Sequence, residues 1–301
     1  TKPLVLCADD YAQSAAISTA IRRLAMQGRL SATSAMVLSP RWPEEAAALR
    51  TEARGRIDVG LHLDWTSPFA LLAGHGMTLN RAMARAVLGG FDRAQATAVI
   101  DRQLDAFEAV WGAPPDHVDG HQHVQQFAGI REALVACLAR RYGALARRPW
   151  LRVSRAPAAQ RTLKSGVIAA LGANAIEKIA ASAGLAYARG LSGIYDFQGD
   201  EAAYAHHMAQ WLATSDAGTV LMCHPGDADT GSEDPDPIAP AAEFADVHLC
   251  HAYDDSEALQ TLAKTCAAIT TEFENVNADS MRWLGQFVPV SPSGDCVAIA
   301  Q

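Results

Sequence analysis

Residues 116–123 read Asp-His-Val-Asp-Gly-His-Gln-His, a run that holds three of the chain's ten histidines and two carboxylates. In an extended strand, alternate side chains share one face. The pattern therefore predicts that four side chains point the same way, namely His117, Asp119, His121 and His123. Neutral imidazole binds zinc and similar metals, and a neighbouring carboxylate can fix its tautomer. A polar loop with scattered histidines would read the same, so the run alone leaves a metal site and a loop as alternatives.

Short apolar runs alternate with helical patterns along the chain around this stretch. They predict strands at Pro3–Ala8, Thr33–Leu38, Ile57–Leu63, a segment containing His117–His121, Leu151–Val153, Gly193–Phe197, Thr219–Cys223 and Ile269–Thr271. Such alternation predicts a parallel sheet with right-handed crossovers. Because polar residues of interest recur at the carboxyl ends of these strands, we expect an α/β fold, a (β/α) barrel of about seven strands. A doubly wound open sheet obeys a similar rule and stays open as an alternative.

The chain is organised without internal repeats or an obvious linker. We therefore expect a single domain over residues 1–301, with an irregular C-terminal tail from Asn275. Half of the residues are hydrophobic, which is enough for a sizeable core. Gly226–Val247 holds seven acidic residues, three prolines and no lysine or arginine, so it is predicted to be a solvated loop, with a lid as the alternative.

Charge and cysteine usage limit the partners and the compartment. The net charge of −8 and the pI near 5.6 argue against a nucleic-acid-binding surface. No N-terminal signal pattern occurs. The most apolar later stretch, Ser165–Gly190, is interrupted by Glu177 and Lys178, so no integral membrane segment is expected. None of the six cysteines forms a Cys-x-x-Cys pair, and the expected location is cytoplasmic.

Single polar residues follow or end several predicted strands. Asp9 and Asp10 come directly after the first strand and could cap the next helix instead. His62 ends the third strand, where a lone histidine is more often a core residue. His224 follows Thr219–Cys223, and its near-neutral pKa suits a general acid or base, with a turn cap as the alternative. Arg152 could neutralise a carboxylate, orient a substrate or lie at the surface.

Together these residues describe a hydrolytic site. Asp10, His62 and His121 would offer a metal one carboxylate and two imidazoles, leaving positions for water and substrate. The metal would polarise a carbonyl and activate water. Asp9 would take the proton from that water, and His224 would protonate the leaving group. The expected substrate-binding or supporting positions are Asp119, His123 and Arg152.

Five short motifs, in this order, resemble the YdjC-like carbohydrate deacetylases over most of the chain. They are Ala8-Asp9-Asp10-Tyr11, Gly60-Leu61-His62-Leu63, His117-Val118-Asp119-Gly120-His121-Gln122-His123-Val124, Leu151-Arg152 and Met222-Cys223-His224-Pro225-Gly226. The resemblance implies a barrel of the deacetylase type that removes acetyl from an N-acetylated amino sugar. It implies Asp10, His62 and His121 as metal ligands, Asp9 as base and His224 as acid.

The resemblance also bears on the cofactor. The family is usually described with magnesium, whereas two imidazoles suit zinc, cobalt or nickel better, because magnesium prefers oxygen ligands. We therefore expect one divalent metal ion, magnesium or zinc. Gln125 stands where the family commonly has a further histidine, and Gly120 where it has serine. These departures concern the substrate and leave the expected metal ligands unchanged.

The expected partner is an N-acetylated amino sugar, carried on an oligosaccharide or a glycolipid, and a homodimer is compatible with the sequence. Two other functions stay open. One is a metal-dependent hydrolase that acts on another ester or a phosphate. The other is a non-catalytic sugar-binding barrel, which Asp9, Asp10 and His224 disfavour because a binding module has no need of acid–base residues.

Overall fold

The computed structural model describes residues 3–196, 201–226, 256–265, 269–270 and 277–291. By the contacts among its residues the chain divides into two compact units, Thr1–Pro237 and Ile238–Gln301. The expectation of one domain over residues 1–301 stays a prediction. The predicted acidic loop, from residue 227 onward, lies outside the described residues.

A curled sheet of parallel strands forms the centre of the first unit. Its strands are β1 (Val5–Tyr11), β2 (Ala32–Ala35), β3 (Asp58–Leu63), β4 (His117–Gly120), β5 (Trp150–Leu151), β6 (Gly190–Ser192) and β7 (Thr219–Cys223), in the spatial order β5-β4-β3-β2-β1-β7-β6. A parallel bridge between Leu151 and Tyr187 joins β5 to the segment before β6, so the two edges of the sheet approach each other. The predicted (β/α) barrel of about seven strands is confirmed as this curled, partly closed barrel.

Helices cover the outside of the sheet. They are α1 (Ala15–Met26), α2 (Trp42–Ala53), α3 (Pro68–Leu72), α4 (Leu79–Leu88), α5 (Arg93–Trp111), α6 (Ile130–Tyr142), α7 (Leu163–Ala170), α8 (Ala173–Ser182) and α9 (Glu201–Thr214), with 3₁₀ turns at His121–Gln126 and Ala158–Gln160. Local chemistry sets several helix ends. The side chain of Ser14 caps α1 by accepting from Ile17 N, and Asp92 caps α5 by accepting from Gln95 N.

The core lies between the sheet and these helices. Trp42 of α2 stacks on Phe107 of α5 with ring centroids 5.5 Å apart, and both side chains are buried. Leu61 and Leu63 on β3 are also fully buried. Burying each such side chain contributes about 1.5–3 kcal/mol, so the helical layer is held mainly by apolar packing. Among the described residues, none of the helices is long and apolar enough to cross a bilayer.

A β-bulge near the end of β1 brings two adjacent carboxylates to the same side of the sheet. The register between β1 and β2 shifts between Ala8 and Tyr11, and Asp10 has a left-handed φ of 66°. In a regular strand Asp9 and Asp10 would face opposite sides. The extra residue of the bulge turns the chain, so both carboxylates reach the mouth of the barrel.

Several predicted strand boundaries are wrong. β1 continues to Tyr11, so Asp9 and Asp10 lie within it, just before its last residue, rather than following it, and β2 and β5 end earlier than predicted, at Ala35 and Leu151. The sixth strand is Gly190–Ser192, not Gly193–Phe197. Gly193 has φ 93°, and a Cβ there would lie 2.1 Å from the Met222 carbonyl oxygen, so the chain leaves the sheet at this glycine. The fourth strand ends at Gly120, one residue before His121, because the chain enters a 3₁₀ turn there.

The second unit contains two described helices and two short strands. Helices α10 (Ser256–Thr265) and α11 (Ala278–Leu284) accompany the parallel pair β8 (Ile269–Thr270) and β9 (Val290–Ser291). Helix α11 lies in the stretch that was expected to be irregular. The Asn277 side chain caps it by accepting from Ser280 N, and Met281 and Leu284 are buried, so a cap and an apolar face stabilise this short helix.

Candidate metal centre

Three donor side chains from three separate segments meet at the carboxyl rim of the sheet. Asp10 Oδ1 lies 3.3 Å from His62 Nε2 and 3.1 Å from His121 Nδ1. One ligand atom from each of the three residues lies within 4.8 Å of the others. Asp10 comes from the bulge of β1, His62 from the end of β3 and His121 from the first position after β4. The structure therefore brings together the three residues predicted to be metal ligands.

The tautomer of His62 is set by a buried carboxylate. His62 Nδ1 donates to Asp119 Oδ1 at 2.6 Å, and both side chains are almost completely inaccessible to solvent. When the ring is neutral, this bond keeps the proton on Nδ1 and leaves the Nε2 lone pair available to a cation beside Asp10. Burial alone would lower the pKa of His62, but the charges of Asp119 and Asp9 outweigh it and raise this pKa well above its usual value.

Asp10 carries the charge that a cation would require. Burial opposes ionisation of Asp10, yet the neighbouring His121 and His62 outweigh burial and hold the pKa of this carboxyl well below its usual value. The donor set is thus one carboxylate oxygen and two imidazole nitrogens, with Asp10 and His121 still partly accessible at the mouth. Two imidazoles and a carboxylate fit zinc, cobalt, nickel or ferrous iron better than magnesium.

Arg152 lies behind this cluster and binds two carboxylates at once. Its guanidinium donates to the two oxygens of Asp9 at 2.6 and 2.7 Å and lies 2.6 Å from Asp119 Oδ2. All three side chains are buried. Burial opposes the charge of Arg152, but the two aspartates raise its pKa well above the usual value. Burial also opposes ionisation of Asp119, whose pKa is nevertheless held well below its usual value, chiefly by Arg152 and His62.

The predicted acid, His224, follows β7 and reaches the same rim. Its Nε2 lies 3.8 Å from Asp10 Oδ2, and about a third of its side chain is accessible. Asp9 also lies at this end of β1 and is held by Arg152. His224 therefore adjoins the donor cluster and remains partly accessible at the mouth.

The quoted run is an extended strand only as far as Gly120. His117 and Asp119 share a face of β4, as predicted. Beyond Gly120 the backbone turns, with left-handed φ values of 54° at Gln122 and 64° at His123. The extended conformation on which the prediction depends therefore ends at Gly120, and His121 and His123 are positioned by the turn instead.

His123 lies at the edge of the site rather than in the donor cluster. Its Nδ1 is 3.0 Å from Ser154 Oγ, which also accepts a bond of 3.0 Å from Gln125 Nε2. Burial lowers the pKa of His123 to about 3, so the ring is neutral. Gln125 and His123 are therefore both hydrogen-bonded to the Ser154 hydroxyl.

Two residues in contact with the predicted set were not found from the sequence. Ser34 on β2 donates to Asp119 Oδ2 at 2.6 Å, and Ser154 Oγ lies 3.0 Å from His123 Nδ1. A small polar residue in an apolar strand, such as Ser34 in Ala32-Thr33-Ser34-Ala35, is the one weak signal the sequence offered.

The fold and the site together define a class of protein. Parallel strands lie inside and helices outside, and titratable side chains lie at the carboxyl ends of β1, β3, β4 and β7. This is the arrangement of (β/α)-barrel enzymes. The particular lineage follows from the sequence. The chain belongs to the YdjC-like family, whose model matches residues 3–266. The resemblance seen in the five motifs is therefore confirmed.

Two named relatives are similar to the chain in sequence, and one solved structure is similar in fold. The chain is 31% identical over 147 residues to a chitooligosaccharide deacetylase from Enterobacter sp. (strain 638), which is 47% of this chain and 57% of the relative. A chitooligosaccharide deacetylase from Serratia marcescens is 30% identical over 129 residues, 41% of this chain and 50% of that relative. A crystal structure of a candidate cellobiose-phosphate cleavage protein from Enterococcus faecalis V583 has a TM-score of 0.55 at 22% identity, covering 76% of this chain and 83% of that chain, and supports the fold.

A shorter similarity concerns another protein. Over 68 residues the chain is 41% identical to an N5-carboxyaminoimidazole ribonucleotide synthase from Pseudomonas aeruginosa, which is 23% of this chain and 19% of the synthase. The chain thus spans about half the length of the deacetylase relatives and about a fifth of the synthase.

Proposed function

We propose that the protein is a metal-dependent carbohydrate deacetylase that hydrolyses the N-acetyl group of an amino sugar, on an oligosaccharide or a glycolipid. The observation that carries the proposal is the convergence of Asp10, His62 and His121 within 4.8 Å beside a buried aspartate and a partly accessible histidine. The family and the two deacetylase relatives support the substrate class.

Each residue has a distinct part in the proposed reaction. Asp10, His62 and His121 would hold one divalent ion, which supplies Lewis acidity to the acetyl carbonyl and to a water molecule. Asp9 takes the proton of the attacking water. Its two bonds of 2.6 and 2.7 Å to Arg152 keep its carboxylate in one orientation.

His224 is the proposed proton donor to the amine leaving group. Its Nε2 atom adjoins Asp10, so it lies beside the place where the scissile amide would meet the ion. An amine is a poor leaving group without a proton, which makes a general acid necessary for amide hydrolysis. His123, neutral and held by Ser154, would contact the sugar or the acetyl group.

Acetate release from a substrate panel tests the proposal. The panel contains N-acetylated amino sugars of several lengths, acetyl esters and phosphate esters, each assayed with the chelator-treated protein and after addition of zinc, cobalt, nickel or magnesium. We expect acetate from the N-acetyl sugars with added metal only. His62→Ala and His121→Ala should abolish it, whereas the matched variant of an exposed histidine, His206→Ala, should not. Full activity of His62→Ala would contradict the proposal, as would sugar binding without turnover.

The remaining expectations stay predictions. They are the identity of the metal, magnesium or zinc, and the cytoplasmic location. The described residues of this single chain give no support for a homodimer.

A further inference from the structure

A chain of buried polar groups extends from His62 into the interior of the barrel. Ser34 Oγ donates to Asp119 Oδ2 at 2.6 Å and lies 3.0 Å from His117 Nε2. Both Ser34 and His117 are completely buried, as is Asp119. None of the proposed catalytic steps uses Ser34 or His117, although burying two polar side chains is costly unless they are hydrogen-bonded.

The direction of each hydrogen bond in this chain follows from its acceptor. The ionised carboxylate of Asp119 can only accept, so the Ser34 hydroxyl must donate to it. The oxygen of Ser34 then accepts from His117, which must carry its proton on Nε2. The other ring nitrogen supports this tautomer. His117 Nδ1 is buried without a hydrogen-bond partner. With the proton on Nε2, the unpartnered Nδ1 is only an acceptor, so the ring has no N–H group left without a hydrogen bond. Burial also lowers the pKa of His117 to about 4, in keeping with a neutral ring.

The ring of His117 is clamped on both faces. Trp150 stacks on it with centroids 4.5 Å apart and an angle of 18° between the rings. On the other side, a Cβ at Gly60 would lie 2.3 Å from His117 Nε2, so only glycine leaves space for the imidazole. The Nε2–H is therefore aimed at Ser34 by packing as well as by the hydrogen bond.

The buried residues around Ser34 could also be considered as a second metal site. Cys7, His117 and Asp119 could by themselves hold a metal ion. The Ser34 oxygen, however, lies 3.4 Å from Cys7 Sγ, 3.0 Å from His117 Nε2 and 2.6 Å from Asp119 Oδ2. A hydroxyl thus occupies the space among these three donors and satisfies them, which favours a hydrogen-bonded relay over a second metal site.

We propose that Ser34 and His117 are positioning residues for the metal centre, acting in the order His117, Ser34, Asp119, His62. The inference rests on the proposed metal-dependent function. Asp119 Oδ1 holds His62, while Asp119 Oδ2 is shared between Ser34 and Arg152. Without the Ser34 bond the carboxylate can turn towards Arg152, and the Nε2 atom of His62 loses its fixed direction. Outer partners of this kind change metal affinity by about 10–100-fold.

The metal dissociation constant, measured by competition with a chromogenic chelator, tests the inference without an activity assay. We expect Ser34→Ala to weaken zinc binding about tenfold, at the lower end for such partners. Ser192→Ala is the matched control, because it removes another buried hydroxyl with a 2.6 Å bond, to Ser215, away from the cluster. It should leave the zinc constant unchanged even if it lowers stability similarly.

A double-mutant cycle separates positioning from a general structural effect. In an Asp119→Asn background, Ser34→Ala should change the constant less than about twofold, because the residue through which it acts is already altered. His117→Leu should weaken zinc binding, whereas His117→Gln, which keeps an N–H donor, should restore most of the affinity.

The outcomes are distinct. Wild-type protein that binds zinc with a constant unchanged in Ser34→Ala would overturn the inference and leave the proposed function intact. Wild-type protein that binds no divalent ion would overturn both. Should Ser34→Ala fail to fold, equal constants for His117→Leu and His117→Gln would overturn the inference instead.

Discussion

Loss of Arg152 should destabilise the first unit strongly. Its guanidinium makes bonds of 2.6 and 2.7 Å to Asp9 and of 2.6 Å to Asp119, and it is fully buried. Arg152→Leu would keep much of the side-chain volume but leave two buried carboxylates without their counter-charge. Breaking a buried ion pair from one side costs about 3–5 kcal/mol, and we expect a loss in this range at pH 7.

The loss should depend on pH in a definite direction. In the wild type the pKa of Asp119 lies below its usual value, so its stabilising contribution is complete above the unfolded pKa of about 3.9 and is lost as the pH falls through the folded pKa. In Arg152→Leu the largest charge that lowers this pKa is gone, so the pKa of Asp119 should rise relative to wild type. The folded variant then takes up a proton more readily than the folded wild type, and its penalty relative to wild type should shrink on acidification.

Equilibrium unfolding in urea at pH 7 and pH 5 measures the free energy of unfolding of each variant. Chelator is present so that metal binding does not contribute. Arg147→Leu is the control, because Arg147 also contacts two carboxylates, Asp58 at 2.9 Å and Asp116 at 3.3 Å, but is 70% exposed. It should cost at most about 1 kcal/mol. The reasoning is refuted if both variants lose the same free energy of unfolding, or if the Arg152→Leu penalty grows at the lower pH.

Three further predictions concern other parts of the molecule. Gly129→Ala should lower the free energy of unfolding by more than roughly 2 kcal/mol, because Gly129 has φ 89° and a Cβ there would lie 1.9 Å from the Phe91 carbonyl oxygen. The control Gly28→Ala, with φ 67° and open space around the Cβ, should cost only about 1 kcal/mol in urea unfolding, and equal losses for the two variants would argue against the close approach at Gly129. His224→Ala should lower kcat for acetate release about 10²–10⁴-fold while zinc affinity stays near wild type, and a variant that instead loses zinc would assign His224 to the ligands. Zinc at 100 times its dissociation constant should stabilise the chelator-treated protein by about 2.7 kcal/mol in urea unfolding, and Asp10→Ala should remove this gain.

The pattern of apolar runs was sufficient to predict the class of fold. Runs such as Ile57–Leu63 and Thr219–Cys223 correspond closely to β3 and β7, because burial on both faces of a parallel strand requires apolar residues in a local stretch. The same reasoning placed polar residues at the carboxyl ends of strands, which meet at one rim in any barrel of this kind. Asp10, His62 and His121 could therefore be grouped without coordinates.

Backbone conformation at single residues lay beyond that pattern. The bulge at Asp10 and the left-handed turn at Gln122 and His123 decide which way adjacent side chains point. Alternation along a strand holds only while the strand is regular, so the alternation predicted for the run at 116–123 ends with the strand at Gly120. The prediction of β6 is wrong because of the backbone at a single residue as well. The left-handed φ of Gly193 ends the strand at the position where the prediction begins it.

The amino-acid sequence by itself determined the succession of strands and helices, the family, and the residue types gathered at the strand ends, because each of these depends on a local stretch or a short motif. Only the tertiary structure decided the partners. Arg152 meets Asp9 from 143 positions away, and Ser34 meets Asp119 from 85 positions away. Such contacts depend on strand register and on which side chains the closed sheet turns inward, and the local pattern of residues contains neither.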